Sequence, residues 1–417
     1  MSACQNDYVD HTELQALLSH ESLRLLEETK PPQSSDDVPD LVTRLRKKGI
    51  EPDVVRAVVN QLSLRSKAIE KFGPFASRML FTKNALEQAT RLEVASHHAG
   101  RLKSAGIASV VDAGCGIGGD SLAFAGLGLS VHAIERDEIT AALATYNLAP
   151  FEQVSVSLGD VTTADLSQGD ALWIDPARRN PDKRLNNPDD WSPSLSWVFE
   201  QAQIRPTGVK LAPGMDRSLI PADTEAAWVS YNGSVVELVV WSGVLARPGI
   251  TRSALIINSR GTTEITGPQD APDQPVGPLH EYLYEPDGAV IRARLIGDVA
   301  RSIDATMLDS TIAYFSSPTL SQSPAWQVFQ VLAQVPYTDK NVATLITDFE
   351  VGHVEIKKRG VDVDPQQLRQ TLPLRGTHPA TLIITRMAGT KVAILAKRLD
   401  LVGEDVAHAD QKSEGER

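Results

Sequence analysis

The chain has 417 residues, of which 42% are hydrophobic and 23% are charged, and its formal net charge is −12. This composition predicts two or three globular domains and argues against a surface coated in basic residues, so that any nucleic-acid contact must use a local patch. Its 2 cysteines exclude a disulfide framework and a cysteine zinc site. We expect no metal, no membrane span and, without a signal sequence, a cytoplasmic protein.

The first part of the chain reads as helical. Leucines recur at helical spacing, as at Leu14, Leu17 and Leu18, and predict a helical region over 1–70. The segment 81–90 predicts a short helix before the first strand, and a helix there can cover a ligand cleft. Its polar side chains are candidate ligand contacts, with an ordinary surface helix as the alternative. These candidates are Thr82, Glu87 and Gln88.

The central stretch of the chain is a strand followed by a glycine loop. An apolar run at 109–111 leads through Asp112 into a loop that contains Gly114, Gly116 and Gly118. Glycines let the backbone turn sharply and lie against a ligand, and the helix that follows points its positive end at that ligand. The spacing also fits a dinucleotide fingerprint. Because the Asp112 carboxylate would repel a pyrophosphate, the cationic amino-acid end of S-adenosylmethionine is the better fit.

Strands and helices alternate after this loop, which predicts an α/β doubly wound sheet of about seven strands. Glu135, Asp160 and Asp175 each follow a predicted strand. Ligands of such sheets bind at the carboxyl ends of the strands, so these three acids are expected at one site. The proline-rich stretch 266–279 predicts a linker, followed by an α+β region at 280–402 and a disordered tail at 403–417.

Two basic runs are candidate RNA phosphate contacts on this acidic chain, although solvated surface loops are the alternative for both. The first run follows Asp175, and the second lies in the C-terminal part. Their predicted contact residues are Arg178, Arg179, Lys183, Arg184, Lys357, Lys358 and Arg359.

Three stretches together resemble known proteins. Residues 112–120 resemble the first motif of class I methyltransferases, in the variant of trimethylguanosine-synthase-like enzymes, and 81–90 resemble the segment that covers the cofactor there. The region from 282 to 369 resembles the THUMP-like module of bacterial class I methyltransferases. The resemblance implies a Rossmann-like class I methyltransferase domain at 71–265, a THUMP-like domain at 280–402, S-adenosylmethionine as cofactor and RNA, from tRNA or rRNA, as substrate.

The resemblance also implies individual roles. Asp112, Gly114 and Gly116 would hold the amino-acid end of the cofactor, Glu135 the ribose hydroxyls and Asp160 the adenine amino group. A carboxylate can accept hydrogen bonds from both hydroxyls of a diol. The full set of predicted cofactor contacts is Thr82, Glu87, Gln88, Asp112, Gly114, Gly116, Gly118, Asp120, Glu135 and Asp160.

Asp175 and Pro176 are the predicted catalytic residues. An exocyclic amine on a base is a poor nucleophile, and an oxygen that accepts its N–H bonds aims its lone pair at the methyl donor. The related enzymes place an aromatic residue after the prolines, where this chain has Arg178. An arginine plane can stack on a base, and Trp173 or Trp191 could supply the missing ring. A methyltransferase for a small molecule or protein, and a non-catalytic RNA-binding protein, stay as alternatives.

Overall fold

A computed structural model describes residues 11–32, 34–177, 179–180, 183–184 and 187–399. The chain divides into two compact units, and each is treated by itself below. The first takes in Met1–Leu211 and Val240–Ala246, and the second takes in Ala212–Val239 and Arg247–Arg417. Among the described residues, no helix is both long enough and apolar enough to cross a membrane.

The first unit begins with helices and continues with alternating strands and helices. Its described α-helices are α1 (His11–Leu17), α2 (His20–Glu28), α3 (Val38–Lys47), α4 (Pro52–Phe72), α5 (Lys83–Gln88), α6 (Leu92–Ser104), α7 (Gly119–Gly126), α8 (Glu138–Leu148) and α9 (Leu195–Ile204). Its described strands are β1 (Ser109–Ala113), β2 (Ser130–Glu135), β3 (Val154–Leu158), β4 (Ala171–Ile174), β5 (Arg179–Asn180), β6 (Lys183–Arg184) and β7 (Thr207–Leu211).

Local sequence explains where these helices begin and which face they bury. The Ser19 hydroxyl accepts a hydrogen bond from the amide of Ser22 at 3.2 Å and caps α2, and Asp137 caps α8 in the same way at 2.8 Å to the amide of Thr140. In α4 the apolar residues fall three or four positions apart and are buried on one face.

Five strands of the first unit form a parallel sheet in the order β3-β2-β1-β4-β7. Asp112 pairs with Trp173, and Ile174 pairs with Val209, so β1, β4 and β7 end close to one another. Since the strands are parallel, their carboxyl ends lie at one edge. This arrangement confirms the α/β prediction and brings the ends of several predicted strands together.

The second unit contains two groups of strands. Its described strands are β8 (Glu225–Tyr231), β9 (Ser234–Trp241, whose last two residues belong to the first unit), β10 (Arg252–Asn258), β11 (Gly261–Gly267), β12 (Tyr282–Pro286), β13 (Thr306–Asp309), β14 (Ile312–Ser317), β15 (Trp326–Pro336), β16 (Val351–Lys358), β17 (His378–Met387) and β18 (Thr390–Leu399). Its described α-helices are α10 (Gly288–Arg292), α11 (Ile296–Ser302), α12 (Asp339–Asp348) and α13 (Pro365–Thr371).

Strands β12 to β18 form a sheet in the order β13-β14-β12-β15-β18-β17-β16. Every described pair in it is antiparallel except β16 with β17. Buried residues of α12 and α13 pack on β16, β17 and β18, while a second apolar cluster gathers around Phe329. These helices and strands agree with an α+β arrangement for the C-terminal part.

The segment predicted as a linker, 266–279, lies inside the second unit. The amide of Met307 donates to the carbonyl of Pro275 at 3.0 Å, and the amide of Gly277 donates to the carbonyl of Met307 at 2.9 Å. Residues on this stretch therefore pair with β13. The domain bounds 71–265 and 280–402 stay predictions.

Candidate functional site

The glycine loop after β1 adopts a backbone that favours glycine. Gly114, Gly116 and Gly118 have φ angles of +91°, +58° and +86°, in the left-handed region. A Cβ atom placed on Gly114 would lie 3.3 Å from the backbone carbonyl oxygen of Asp175. The loop and the residue after β4 thus approach each other closely, and glycine makes that approach possible.

Glu135 lies half-buried at the end of β2 and is bound to the loop. One oxygen of its carboxylate accepts a hydrogen bond from the amide of Gly116 at 3.0 Å, and the other accepts from the amide of Asp137 at 2.9 Å. Each carboxylate oxygen has more than one lone pair, so both can accept a further hydrogen bond from a ligand.

Asp160 follows β3 and is exposed. One oxygen of its carboxylate accepts hydrogen bonds from the amide and the hydroxyl of Thr162, at 2.9 and 2.7 Å. These hydrogen bonds hold the pKa of Asp160 below its ordinary value, so the group is ionised at neutral pH. Its second oxygen is not used in either bond.

A group of polar side chains joins the ends of β4 and β7 to two helices. We call Thr90, His98, Asp120, Asp175 and Lys210 the strand-end cluster. The Lys210 ammonium lies 2.5 Å from a carboxylate oxygen of Asp175, 2.8 Å from the Thr90 hydroxyl and 3.4 Å from a carboxylate oxygen of Asp120. Thr90 also donates to Asp120 at 2.9 Å, and the His98 Nδ1 atom lies 3.0 Å from the other Asp120 oxygen.

The buried carboxyls beside this cluster differ in charge. Burial raises the pKa of Asp112 to about 8, assisted by the negative charge of Asp120, so the Asp112 carboxyl is mostly neutral at pH 7. The Ser121 hydroxyl binds it at 2.5 Å. Asp120 is also buried, which opposes ionisation, but the Lys210 ammonium and His98 hold the pKa of Asp120 below its ordinary value. Burial thus opposes the charge that the sequence analysis expects on Asp112, and the contact of Asp112 with a cationic ligand stays a prediction.

The sequence prediction named neither His98 nor Lys210 of this cluster, and Lys210 is the one that contacts Asp175. It stands inside the apolar strand β7, where its charge reads as an interruption of the pattern. The signal that could have found it is the register of the parallel strands. Ile174 pairs with Val209, so the residues that follow them, Asp175 and Lys210, lie side by side. That inference requires knowing that β4 and β7 are neighbours.

The residues before α5 are held firmly by buried polar side chains. The Gln61 side chain of α4 exchanges two hydrogen bonds with the backbone of Phe81, at 2.5 and 3.0 Å. Asn147 of α8 does the same with Leu80, at 2.7 and 3.0 Å. These contacts fix the backbone that enters α5, whose first turn is capped by the predicted contact Thr82 at 3.2 Å from the amide of Ala85.

Lys71 holds the other end of α5. Its ammonium donates to the carbonyl oxygens of Leu86, Glu87 and Ala89 at 2.8, 2.7 and 2.8 Å. A cation there satisfies helix carbonyls that lack a partner and faces the negative end of the helix. The side chains of Glu87 and Gln88 are exposed at this end.

Trp173 cannot stack on a substrate as predicted, because it is completely buried in the core of the first unit. Its ring lies 4.5 Å from that of His98, 5.6 Å from that of Trp241 and 5.8 Å from that of Phe124, measured between centroids. Trp191, the other candidate ring, is also buried. Both faces of β4 are covered, so alternation along this strand does not indicate an exposed side.

The first basic run lies largely outside the described residues. Arg178 lies outside the described residues. Arg179 and Lys183 belong to the antiparallel pair β5 and β6, with Arg184 opposite Arg179, and their side chains are likewise outside the description.

The second run does not form one basic patch. Lys357 and Arg359 lie 2.7 and 3.3 Å from the Glu285 carboxylate, which offsets part of their positive charge. Lys358 alternates away from them and is exposed.

Within the described residues, no group of three or more histidine, cysteine, aspartate or glutamate side chains is placed to hold a metal ion. Cys115 of the glycine loop is buried, and burial raises the pKa of its thiol well above the ordinary value. A neutral buried thiol is a poor nucleophile.

Comparisons with known proteins identify relatives of the chain and a similar fold. Two uncharacterised S-adenosylmethionine-dependent methyltransferases, from Mycobacterium tuberculosis strains CDC 1551 and H37Rv, are 35% identical to the chain over 347 residues, or 79% of this chain and 92% of theirs. A THUMP domain-like family model matches residues 326–398, and a domain of unknown function (DUF8688) matches 10–68. The crystal structure of a proposed methyltransferase from Porphyromonas gingivalis W83 has a TM-score of 0.74, with 23% identity, and covers 94% of this chain and 100% of its own.

Proposed function

Since the chain belongs to the S-adenosylmethionine-dependent methyltransferases, we propose that it methylates a nitrogen of an RNA base, in tRNA or rRNA. The comparisons confirm the predicted Rossmann-like class I core with a C-terminal THUMP-like part. The reaction class is thus established by relationship, while the substrate and the residue roles below are our proposal.

The residues at the strand ends fit the cofactor. The backbone of Gly114 leaves room that a Cβ would fill, 3.3 Å from the carbonyl oxygen of Asp175. Glu135 offers spare carboxylate lone pairs for the ribose hydroxyls, and Asp160 is exposed and ionised for the adenine amino group. Gly116 and Gly118 complete the turn. Asp112 before the loop and Asp120 after it are both buried. When bound, S-adenosylmethionine supplies a methyl group activated by its sulfonium.

The observation that carries the proposal is the position of Asp175. Its carboxylate is 38% exposed at the end of β4, and its own backbone carbonyl approaches the glycine loop. Pro176 is buried behind it and fixes the chain. A carboxylate so placed can accept the N–H of a base amine, concentrate its lone pair and aim it at the methyl group. As the new C–N bond forms and the C–S bond breaks, the nitrogen loses its proton to solvent.

Two features support RNA as the substrate class. The THUMP domain-like match at 326–398 fits the resemblance to RNA-modifying methyltransferases. The run from Arg178 to Arg184 follows Asp175 directly in the sequence, where cations could contact phosphates beside the modified base. We propose Arg178, Arg179, Lys183 and Arg184 for this contact.

Methyl transfer from labelled S-adenosylmethionine to total RNA tests the proposal, with RNA taken from a strain that lacks the gene. Label should enter RNA, and mass spectrometry of its nucleosides should then identify one methylated base that the deletion strain lacks. Label that enters only protein or small molecules would overturn the RNA assignment.

The same assay tests Asp175. The variant Asp175→Asn should lose on the order of 10²- to 10⁴-fold in turnover, because the amide is uncharged and a weaker acceptor of the N–H. Its affinity for S-adenosylmethionine, measured by calorimetry, should stay within about threefold of wild type. Glu152→Gln, an exposed acid before β3, is the control for a lost negative charge. Turnover that survives in Asp175→Asn would remove Asp175 from the reaction.

A further inference from the structure

We propose that Lys210 is the positioning residue for Asp175, and that it joins the acceptor carboxylate to the helix after the glycine loop. This inference rests on the proposed role of Asp175 and adds a residue that neither the sequence motifs nor the comparisons indicate. It follows from three observations: the partners of the ammonium, the exposure of Lys210 and Asp175, and the charges around them.

The Lys210 ammonium is fixed by partners from three separate elements. An ammonium has three N–H donors. Three oxygens lie within 3.4 Å of it: Asp175 after β4, Thr90 before α6 and Asp120 in the first turn of α7. These contacts come from three separate elements, and Thr90 and Asp120 are also hydrogen-bonded to each other at 2.9 Å. Asp175 is therefore tied to α7, which begins directly after the glycine loop.

The exposures show which partner faces a ligand. The Lys210 side chain is 12% exposed, whereas that of Asp175 is 38% exposed. The ammonium lies behind the carboxylate and acts through it, which makes Lys210 a positioning residue. The ammonium contacts one Asp175 oxygen at 2.5 Å and so orients the carboxylate that is proposed to accept the N–H of the substrate.

The surrounding charges explain why a cation is needed. The titratable groups around the pair are Asp112 on β1, Asp120 on α7, His98 on α6 and Lys71 on α4. Asp120 is ionised in the interior and lies on the same ammonium as Asp175. Without Lys210, Asp175 would lose the cation that stabilises its ionised form and keep the repulsion of Asp120, so that it would take up a proton at a higher pH. A protonated Asp175 could no longer accept the N–H bond.

The test is a pH profile of methyl transfer to RNA from the deletion strain, from pH 5.5 to 8.5, for wild type and Lys210→Met. Turnover of Lys210→Met should fall on the order of 100-fold. The acid limb of its pH profile, where turnover declines as the pH is lowered, should shift to higher pH by about one unit or more. The Michaelis constant for RNA and the affinity for S-adenosylmethionine should stay within about threefold. Lys210→Arg should return the acid limb toward wild type, because it restores the charge. An acid limb that does not move would overturn the proposal.

Two further measurements separate this inference from its premise. Lys103→Met removes a lysine from the C-terminal turn of α6 and should leave the profile unchanged. If Lys210→Met does not fold, Lys210→Gln gives the same comparison. A double-mutant cycle of Lys210→Met and Asp175→Asn, followed by urea unfolding, needs no substrate. Non-additive changes in the free energy of unfolding support the Lys210–Asp175 pair even if RNA is not methylated, and additive changes overturn it.

Discussion

Each unit places a carboxylate beside lysine or arginine. In the first unit the carboxylate is the more exposed partner, and in the second unit the cations are. In the first unit the Asp175 carboxylate is 38% exposed and its partner Lys210 is 12% exposed. In the second unit Glu285 is 17% exposed, while its partners Lys357 and Arg359 are 23% and 28% exposed. The first pair presents a hydrogen-bond acceptor to a ligand, and the second presents cations. In each pair, the more exposed side chain is thus the group that a ligand can contact.

Aromatic rings lie near both sites, again in different ways. In the first unit Trp173 fills the core below β4 and stacks near His98. In the second unit the cations contact rings directly: Arg359 lies 4.9 Å from the centre of the Tyr314 ring, and Lys357 lies 5.8 Å from that of Phe329. Cation–π contacts hold those side chains in place without neutralising them. The following changes test this comparison, beginning with the largest expected effect.

Removal of the Trp173 ring should cost the most. Trp173→Ala leaves a cavity below the strand-end cluster and should lower the free energy of unfolding by about 3–5 kcal/mol. Trp173→Phe should cost clearly less, because the indole N–H has no hydrogen-bond partner among the described residues. Urea unfolding measures both, with Phe75→Ala, an exposed ring of the same unit, as the control. Weakened RNA binding without a loss of stability would instead support the substrate contact predicted from sequence.

Trp173 also shows where sequence reasoning succeeded and where it stopped. The strand, the glycine loop and the acid after β4 could be placed from local patterns, because strand ends and turns carry local signals. Trp173 was misplaced because both faces of β4 are covered, which alternation cannot reveal. Lys210 was missed, and the charge on Lys357 was overestimated, for another reason. Their partners, Asp175 and Glu285, are distant in sequence and become neighbours only once the strand order is known.

Asp112 should make stability depend on pH. Its native pKa of about 8 lies above the ordinary value near 3.9, so folding takes up a proton between these pH values. The free energy of unfolding should therefore fall as pH rises from about 4 to about 8, by at most about 1.4 kcal/mol per pH unit from this group. Asp112→Asn should flatten that decline, measured by urea unfolding at pH 5, 6, 7 and 8. Glu152→Gln should not, and an unchanged slope in Asp112→Asn would contradict the neutral state of Asp112.

Lys71 should affect cofactor affinity more modestly. Lys71→Met removes the ammonium that holds three carbonyls at the end of α5, worth about 1 kcal/mol, so S-adenosylmethionine should bind roughly fivefold more weakly. Burial lowers the pKa of Lys71 to about 8, assisted by Arg91 and Lys210. The charge is present below that pH, so the difference between wild type and variant should shrink as pH rises through 8. Calorimetry measures it, and Lys67→Met, exposed on the same helix, is the control.

A substitution in the second unit should change RNA affinity only slightly, and it tests whether the cations there contact RNA. Glu285→Gln keeps the shape of the side chain but removes the negative charge that offsets part of the charge of Lys357 and Arg359. If this surface contacts RNA, the two freed cations should raise RNA affinity a few-fold and steepen its salt dependence by about one unit of slope.

Glu281→Gln provides the matched control, because it removes the same charge from an exposed position four residues earlier. An equal change in both variants would reflect net charge alone. A change confined to Glu285→Gln would mean that the half-buried Glu285 carboxylate limits RNA binding at this surface. In the second unit the carboxylate would then weaken the cations that a ligand can reach, whereas in the first unit the Asp175 carboxylate is the more exposed partner and Lys210 the more buried one.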